Sequence, residues 1–189
     1  MELISSTSDF FQSVLREAIA RQKVKLGQVT ESYLVNLLAE KTVAHADDQP
    51  LSFKLAQADH AEPLTRVRLL KETGDTALYV CGFFAESLSR RLVSVEYYME
   101  LGTAAYRRLV QLEKLLGELL RGVFFELSAH FPRLVEVLAE ARSHFAMHGT
   151  TSAFELLELY EQWRKTGSEH LAQRLRAAGF RLPSCGETN

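Results

Sequence analysis

The sequence predicts an all-α protein, and three features of the chain support that fold class. Apolar residues recur at spacings of three and four from Leu64 to Leu175, the spacing of one helical face. Only 4 Pro and 10 Gly interrupt the 189 residues, so long regular elements are expected. The strand-like composition of residues 79–84 lies inside a run with helical spacing. We therefore expect a single-domain bundle of about seven to nine helices.

Capping residues and breaks divide this bundle into elements. The expected helices span roughly residues 8–25, 30–44, 51–58, 63–73, 76–92, 94–130, 132–148, 152–165 and 169–178. Ser94 is the predicted N-cap of the long sixth helix, and Pro132 is expected to kink that helix or open the next one. Together these elements form one helical domain over residues 1–182, and residues 183–189 are expected to be a disordered tail.

The helix over residues 76–92 is apolar nearly all round, which is typical of a helix at the centre of a bundle. Gly74 and Asp75 precede it. They form either a turn in which Asp75 caps this helix or a tolerated break within a longer helix. Because Asp is a preferred N-cap residue, we favour the cap.

Charge and composition exclude several classes of protein. The net charge is −2, so the strongly basic surface that nucleic-acid binding requires is not expected. The N-terminus lacks a basic segment followed by an apolar one, and no run approaches 18 apolar residues. We expect a cytoplasmic protein without a membrane span.

The sequence contains none of the common catalytic or cofactor-binding motifs, so it predicts no catalytic residue, cofactor or metal and does not favour an enzyme.

Cys81 and Cys185 are interpreted as two unrelated thiols. Glu140, His144 and His148 share one helical face, but i and i+8 lie ~12 Å apart on a straight helix. Such a set does not hold one ion easily, and a functional metal site is not expected there.

Two glycines and four aromatic pairs point to unusual packing. Gly82 and Gly102 lie inside helical patterns and are interpreted as points of close helix crossing, with an open groove as the alternative. Adjacent helical positions point about 100° apart, so one member of each aromatic pair must face a second helix, a partner or solvent. We therefore expect a homodimer with an aromatic interface, to which the candidate contributors are Phe10, Phe11, Phe124 and Phe125.

The predicted function rests on the aromatic residues and on two arginine doublets. The favoured function is a cytoplasmic helical protein-binding adaptor or regulatory subunit that acts through an exposed aromatic surface. The alternative is a helical bundle that binds a small molecule, with or without catalysis, in an interior pocket near Tyr79, Phe83, Tyr98 and Tyr106. The doublets Arg90-Arg91 and Arg107-Arg108 either interact with helix C-termini or join the tyrosines in a basic-aromatic patch. The candidate binding residues are Tyr79, Phe83, Arg90, Arg91, Tyr97, Tyr98 and Tyr106.

Overall fold

The computed structural model describes residues 2–43, 49–88, 94–147, 163 and 166–177, and 88% of these residues are helical. The all-α multi-helix bundle is confirmed, and the described residues contain no strand. The helices within them are α1 (Glu2–Arg21), α2 (Gln28–Val43), α3 (Leu51–His60), α4 (Pro63–Leu88), α5 (Val95–Val110), α6 (Glu113–Ala129), α7 (Phe131–Met147) and α8 (Glu169–Ala177).

The chain divides into two compact units, Met1–Ser143 and His144–Asn189. In the first unit, α4 packs against α2, α3, α5 and α6. In the second unit, Ala172 and Leu175 of α8 form a small apolar core with Trp163. The single domain expected over residues 1–182 remains a prediction, and residues 183–189 lie outside the described part of the chain.

Helix α4 runs without interruption through Gly74 and Asp75, so the predicted N-cap at Asp75 is wrong. Both residues are buried, and the Asp75 side chain bonds to groups on other helices and to Lys71 one turn earlier. Pro63 opens the helix, where a missing N–H costs nothing. The predicted central helix is therefore the second part of a longer one. The last four positions of that prediction lie outside the described residues.

The long helix predicted over residues 94–130 is instead two helices, α5 and α6. Leu112, with φ −91° and ψ 50°, leaves the helical region, and α6 then packs back against α5. Gly117, with φ 69° and ψ 160°, interrupts the first turns of α6 in a backbone region that is essentially restricted to glycine. The predicted cap of α5 is confirmed, since Ser94 Oγ accepts a hydrogen bond from the Tyr97 N–H at 3.2 Å.

Helix α1 ends at Arg21, four residues before the expected end. Lys23 adopts φ 53°, and the N–H groups of Val24 and Lys23 donate to the carbonyls of Ile19 and Ala20, both at 3.2 Å. This hydrogen-bond pair is a Schellman end, in which Lys23 holds the position that glycine usually occupies.

Three helical glycines lie where a large side chain of another helix covers the backbone. A Cβ built at Gly82 would lie 2.4 Å from Leu138 Cβ, and one at Gly102 would lie 2.4 Å from Phe131 Cζ. One at Gly74 would lie 2.4 Å from Cε1 of Tyr106. These distances are far inside van der Waals contact, so close packing at Gly82 and Gly102 is confirmed.

We expect Gly82→Leu to lower the free energy of unfolding by about 1–3 kcal/mol, because the new side chain must displace Leu138 from a packed crossing. Gly122→Ala is the matched control, since among the described residues no atom lies within 4 Å of a Cβ built at Gly122. That control should gain about 0.5–1 kcal/mol from helix propensity. Urea unfolding followed by far-UV circular dichroism measures both. An unchanged midpoint for Gly82→Leu would contradict the crossing.

Candidate functional site

The carboxylate of Asp75, which is only 3% exposed, joins several helices of the first unit. Its Oδ1 atom accepts hydrogen bonds from the Tyr33 hydroxyl at 2.7 Å and the Tyr106 hydroxyl at 2.8 Å. Its Oδ2 atom accepts one from Lys71 Nζ at 2.7 Å. These four residues, here called the Asp75 cluster, join α2, α4 and α5 through one buried carboxylate.

The local sequence of α4 builds the centre of this cluster. Lys71 precedes Asp75 by four residues and therefore lies on the same helical face. Gly74 carries no side chain, and the ring of Tyr106 occupies the space that a Cβ there would fill. Gly74 and Asp75 thus act together. The glycine admits the ring, and the carboxylate accepts the hydrogen bond from its hydroxyl.

Aromatic rings pack against both phenols, of which Tyr106 is fully buried and Tyr33 is half-buried. The Tyr106 ring stacks on Phe124 at 5.7 Å and lies tilted against Phe131 at 5.9 Å, while Tyr33 meets Phe124 edge-on at 5.7 Å. Burial raises the pKa of Tyr106 well above its usual value, and the charge of Asp75 raises it further. Burial and Asp75 likewise raise the pKa of Tyr33. Both phenols therefore remain protonated donors near neutral pH.

The chemistry available to the Asp75 cluster is structural. Both carboxylate oxygens are engaged by donors of the chain itself, so a substrate would have to displace one of them. A buried carboxylate held by two hydroxyls and an ammonium group is well compensated for the water it loses. The cluster stabilises the packing of three helices and presents no free reactive group.

Each of the four residues predicted to line an interior pocket lies against a neighbouring aromatic ring. Tyr79 is buried and stacks on Phe83 at 5.1 Å, with Phe84 edge-on at 5.5 Å. Tyr106 is fully buried, and Tyr98 is half-buried. Two surface grooves occur elsewhere, one beside Phe53 and His60 and one along α5 beside Met99 and Arg107. Neither groove is lined by any of the four predicted pocket residues.

The structure separates the members of the second arginine doublet. Arg108 donates to Asp59 Oδ1 at 2.9 Å and so ties α5 to α3, whereas Arg107 is exposed. Tyr97 is 41% exposed on the first turn of α5. Arg90 and Arg91 lie outside the described residues, so the predicted basic-aromatic patch remains a prediction.

Of the three residues considered for a metal, only Glu140 has a described side chain. Glu140 accepts hydrogen bonds from Gln22 Nε2 at 2.8 Å and Arg21 Nη1 at 3.3 Å. The side chains of His144 and His148 lie outside the described part. Among the described residues, no group of three or more His, Cys, Asp or Glu side chains is placed to hold an ion.

Cys81 is buried in α4, and its Sγ lies 3.7 Å from the carbonyl oxygen of Val95. Burial raises the pKa of the Cys81 thiol to about 12, with a smaller contribution from the charge of Glu96. At neutral pH this thiol is protonated and behaves as a small core residue. The second cysteine, Cys185, lies outside the described residues.

The surface feature that the structure adds is an apolar face on α6. Leu119 is 66% exposed and Phe125 is 61% exposed, three residues before and three residues after Gly122. At 3.6 residues per turn, these two side chains flank the glycine by about 60° on either side. Ala129, two turns beyond Gly122, is also exposed. We call Leu119, Gly122, Phe125 and Ala129 the α6 face.

This face revises the predicted interface. Phe11 and Phe124 are 3% and 2% exposed and belong to the core, so their assignment to a dimer interface is wrong. Phe125 is exposed as expected, and the side chain of Phe10 lies outside the described part. Leu119 and Gly122 were not foreseen, because the sequence alone does not show which side of α6 the bundle covers.

Within the described residues, none of the helices is long and apolar enough to span a lipid bilayer.

We expect Tyr106→Phe to lower the free energy of unfolding by about 1.5–3 kcal/mol, because it removes a buried hydrogen bond to a charged acceptor. Tyr33→Phe should cost somewhat less, since that hydroxyl is only partly buried. Tyr97→Phe on the exposed turn of α5 is the control and should change stability by under about 0.5 kcal/mol. Denaturant unfolding of the three variants measures these differences. A cost for Tyr106→Phe no larger than that of the control would refute the role of the cluster.

The same phenols predict a loss of stability at alkaline pH. The folded pKa values of Tyr33 and Tyr106 lie above the unfolded value of about 10. Their contribution is therefore complete below that pH and declines as pH rises above it, because only the unfolded chain releases the protons. The Cys81 thiol has a folded pKa of about 12, so it also lowers the free energy of unfolding as pH rises above about 9.

Urea titrations between pH 8 and pH 11 measure this alkaline decline. We expect a smaller decline for the double variant Tyr33→Phe and Tyr106→Phe than for the parent chain. Equal declines in the two proteins would contradict the assignment.

Comparison of the chain with protein-family models, with curated proteins and with solved structures gives no match. The functional evidence is therefore the geometry of the chain itself. It consists of a closed polar cluster at Asp75, which is occupied by its own donors, and an open apolar face on α6.

Proposed function

We propose that this protein is a helical protein-binding module, an adaptor or regulatory subunit, that docks an apolar helix on the α6 face. The observation that carries the proposal is the pair of large side chains, Leu119 and Phe125, that stands exposed around a glycine with open space above it. Exposed apolar patches of this kind mark interaction surfaces in proteins whose cores are otherwise closed.

The core of the same chain indicates what kind of partner suits this face. At Gly82 and Gly102, a large side chain of a neighbouring helix lies directly over the glycine. Gly122 offers the same bare backbone, and none of the described residues covers it. A helix that places Leu or Phe over Gly122 would reproduce the packing that α4 and α5 already use.

A second copy of the chain is the partner to which we commit. In an isologous pair, each α6 face supplies the large side chains that the other face needs, because Leu119 and Phe125 lie symmetrically about Gly122. Glu118 and Glu126 lie four residues to either side of Gly122, and Arg121 precedes it, so charges of both signs border the face. The Glu126 carboxylate already accepts a hydrogen bond from the Gly27 N–H at 2.9 Å. The proposed homodimer thus places its aromatic contact at Phe125.

Light scattering over a range of concentrations tests this proposal. The parent chain is expected to rise from 21.4 kDa toward twice that mass as its concentration increases through the micromolar range. Leu119→Glu combined with Phe125→Glu should hold the mass at the monomer value, because charges would be buried without partners in the pair. Leu64→Glu is the matched control, since Leu64 is 78% exposed on α4 and does not belong to the α6 face.

Gly122→Leu separates pairing from folding. The space above Gly122 is open in one chain, so the variant should fold with a normal dichroism spectrum, and yet it should fail to pair. A parent chain that stays monomeric up to high micromolar concentration would rule out the second copy as the partner. If partners captured from the native cell then bound the double Glu variant as well as the parent, the α6 face itself would be ruled out as a docking surface.

A further inference from the structure

The groove along α5, here called the α5 groove, is an open surface separate from the α6 face. It has a volume of about 600 Å³ and is lined by one side of α5 and by Pro132 at the start of α7. The neighbouring Phe131 covers Gly102 and lies 5.9 Å from the Tyr106 ring, so α7 begins beside the second half of α5. The α5 groove therefore follows α5 for about three turns, with the start of α7 as its side wall.

The α5 groove carries opposite charges at its two ends. Glu96 and Glu100 lie one turn apart near the start of α5, and Arg107 lies two turns beyond Glu100. All three side chains are exposed, and in the described part of the chain neither Glu100 nor Arg107 has an ion-pair partner. Like charges four residues apart disfavour a helix, so a cation placed between Glu96 and Glu100 would be favourable.

The middle of the α5 groove is lined by small and adaptable side chains. Thr103 and Ala104 are half-buried there, and Met99 lies one turn before Thr103. The distance between two packed helices depends on the side chains at their contact, and small ones allow a close approach. Met99 can adjust its conformation to the shape of a neighbour. The middle of the groove is therefore suited to large apolar side chains of a second helix.

Helix polarity determines the direction in which a second helix would lie. Any helix is stabilised by acidic residues in its first turn and basic residues in its last turn. A helix antiparallel to α5 brings its first turn to Arg107 and its last turns to Glu100 and Glu96. The charges that stabilise such a helix by itself are then the charges that pair with the ends of the groove. A parallel helix would need the opposite and less stable order of charges.

A second copy of the chain satisfies the charges of the α5 groove but does not fill it. In an antiparallel pair of α5 helices, the register that places Glu100 opposite Arg107 of the other copy also places Thr103 opposite Ala104. Small side chains would then meet small side chains, and the contacts of a filled groove would be lost. The occupant must therefore carry larger residues at these positions than this chain does.

We propose that the α5 groove binds one helix of another protein, antiparallel to α5, with a carboxylate opposite Arg107. Large apolar side chains of that helix lie opposite Thr103 and Ala104, and its lysines or arginines lie opposite Glu100 and Glu96. In its sequence, the apolar residues follow the carboxylate by three and four positions and the cations follow it by seven and eleven. These spacings place all of them on one helical face. The protein then presents the α6 face to a second copy and the α5 groove to a different partner.

The probe for this proposal is a fluorescent, alanine-based helical peptide with this pattern of glutamate, two leucines and two lysines. Fluorescence anisotropy during titration with the full chain at low salt gives the Kd. A reference peptide carries glutamine in place of the glutamate and both lysines. We expect the charged peptide to bind about tenfold more tightly than the reference, because three surface ion pairs add their contributions. This advantage should disappear at about 1 M salt.

Charge reversal on both sides of the contact tests the orientation. Glu100→Lys should weaken binding of the charged peptide by about threefold or more, and a peptide with glutamate in place of its first lysine should restore it. Arg107→Glu should likewise be compensated by lysine in place of the peptide's glutamate. Glu136→Lys is the matched control, since Glu136 is exposed on α7 and does not line the groove. Circular dichroism verifies that each variant is folded.

Each outcome either supports or overturns the proposal. Equal affinities for the charged and glutamine peptides overturn it, and compensation between exchanged positions overturns the antiparallel orientation. A fall in the mass of the chain by light scattering on Glu100→Lys would identify a second copy as the occupant and overturn it as well. Tighter binding of the charged peptide with compensation at the assigned positions supports it.

The titration is repeated with the variant that combines Leu119→Glu and Phe125→Glu. That variant should bind the charged peptide as tightly as the parent chain does, because neither residue lines the α5 groove. Failure of the α6 face and failure of the α5 groove are thereby distinguished.

Discussion

The packing of the first unit depends on one buried carboxylate. Asp75 accepts hydrogen bonds from Tyr33 on α2 and Tyr106 on α5, and it forms an ion pair with Lys71 on its own helix. Leaving such a charge buried without its donors costs several kcal/mol, so each donor must stay where the native packing places it. The relative positions of α2, α4 and α5 are therefore specified by directional bonds in addition to apolar contact.

The same cluster explains why a glycine stands in the middle of α4. A side chain at Gly74 would overlap the Tyr106 ring. If that ring were displaced, the Asp75 carboxylate would lose the hydrogen bond from the Tyr106 hydroxyl. The ring then extends the aromatic packing through Phe124 of α6 to Phe131 of α7. Glycine costs about 1 kcal/mol of helix propensity relative to alanine. Here that loss is offset by a buried hydrogen bond and a stacked aromatic pair.

Some aromatic and polar residues of the bundle are buried by the chain itself, whereas other apolar residues face solvent. Asp75, Tyr79 and Phe83 are buried and packed by side chains of the chain itself, and they contribute to the stability of the fold. On the α6 face, by contrast, Leu119 and Phe125 expose most of their apolar surface. Phe125 and its neighbour Phe124 illustrate the division, because one ring completes the core and the other faces solvent.

The sequence by itself determined the helical class, most helix starts and the need for close packing at Gly82 and Gly102, because these follow from periodicity, capping and the absence of a side chain. It also required the two members of each aromatic pair to face different directions, since neighbours on a helix point about 100° apart. Only the tertiary structure decided that Phe125 is the outward member and that Asp75 binds two distant tyrosines instead of capping a helix. These outcomes depend on which helices meet, and local sequence carries no information on contacts between residues 31 and 42 positions apart.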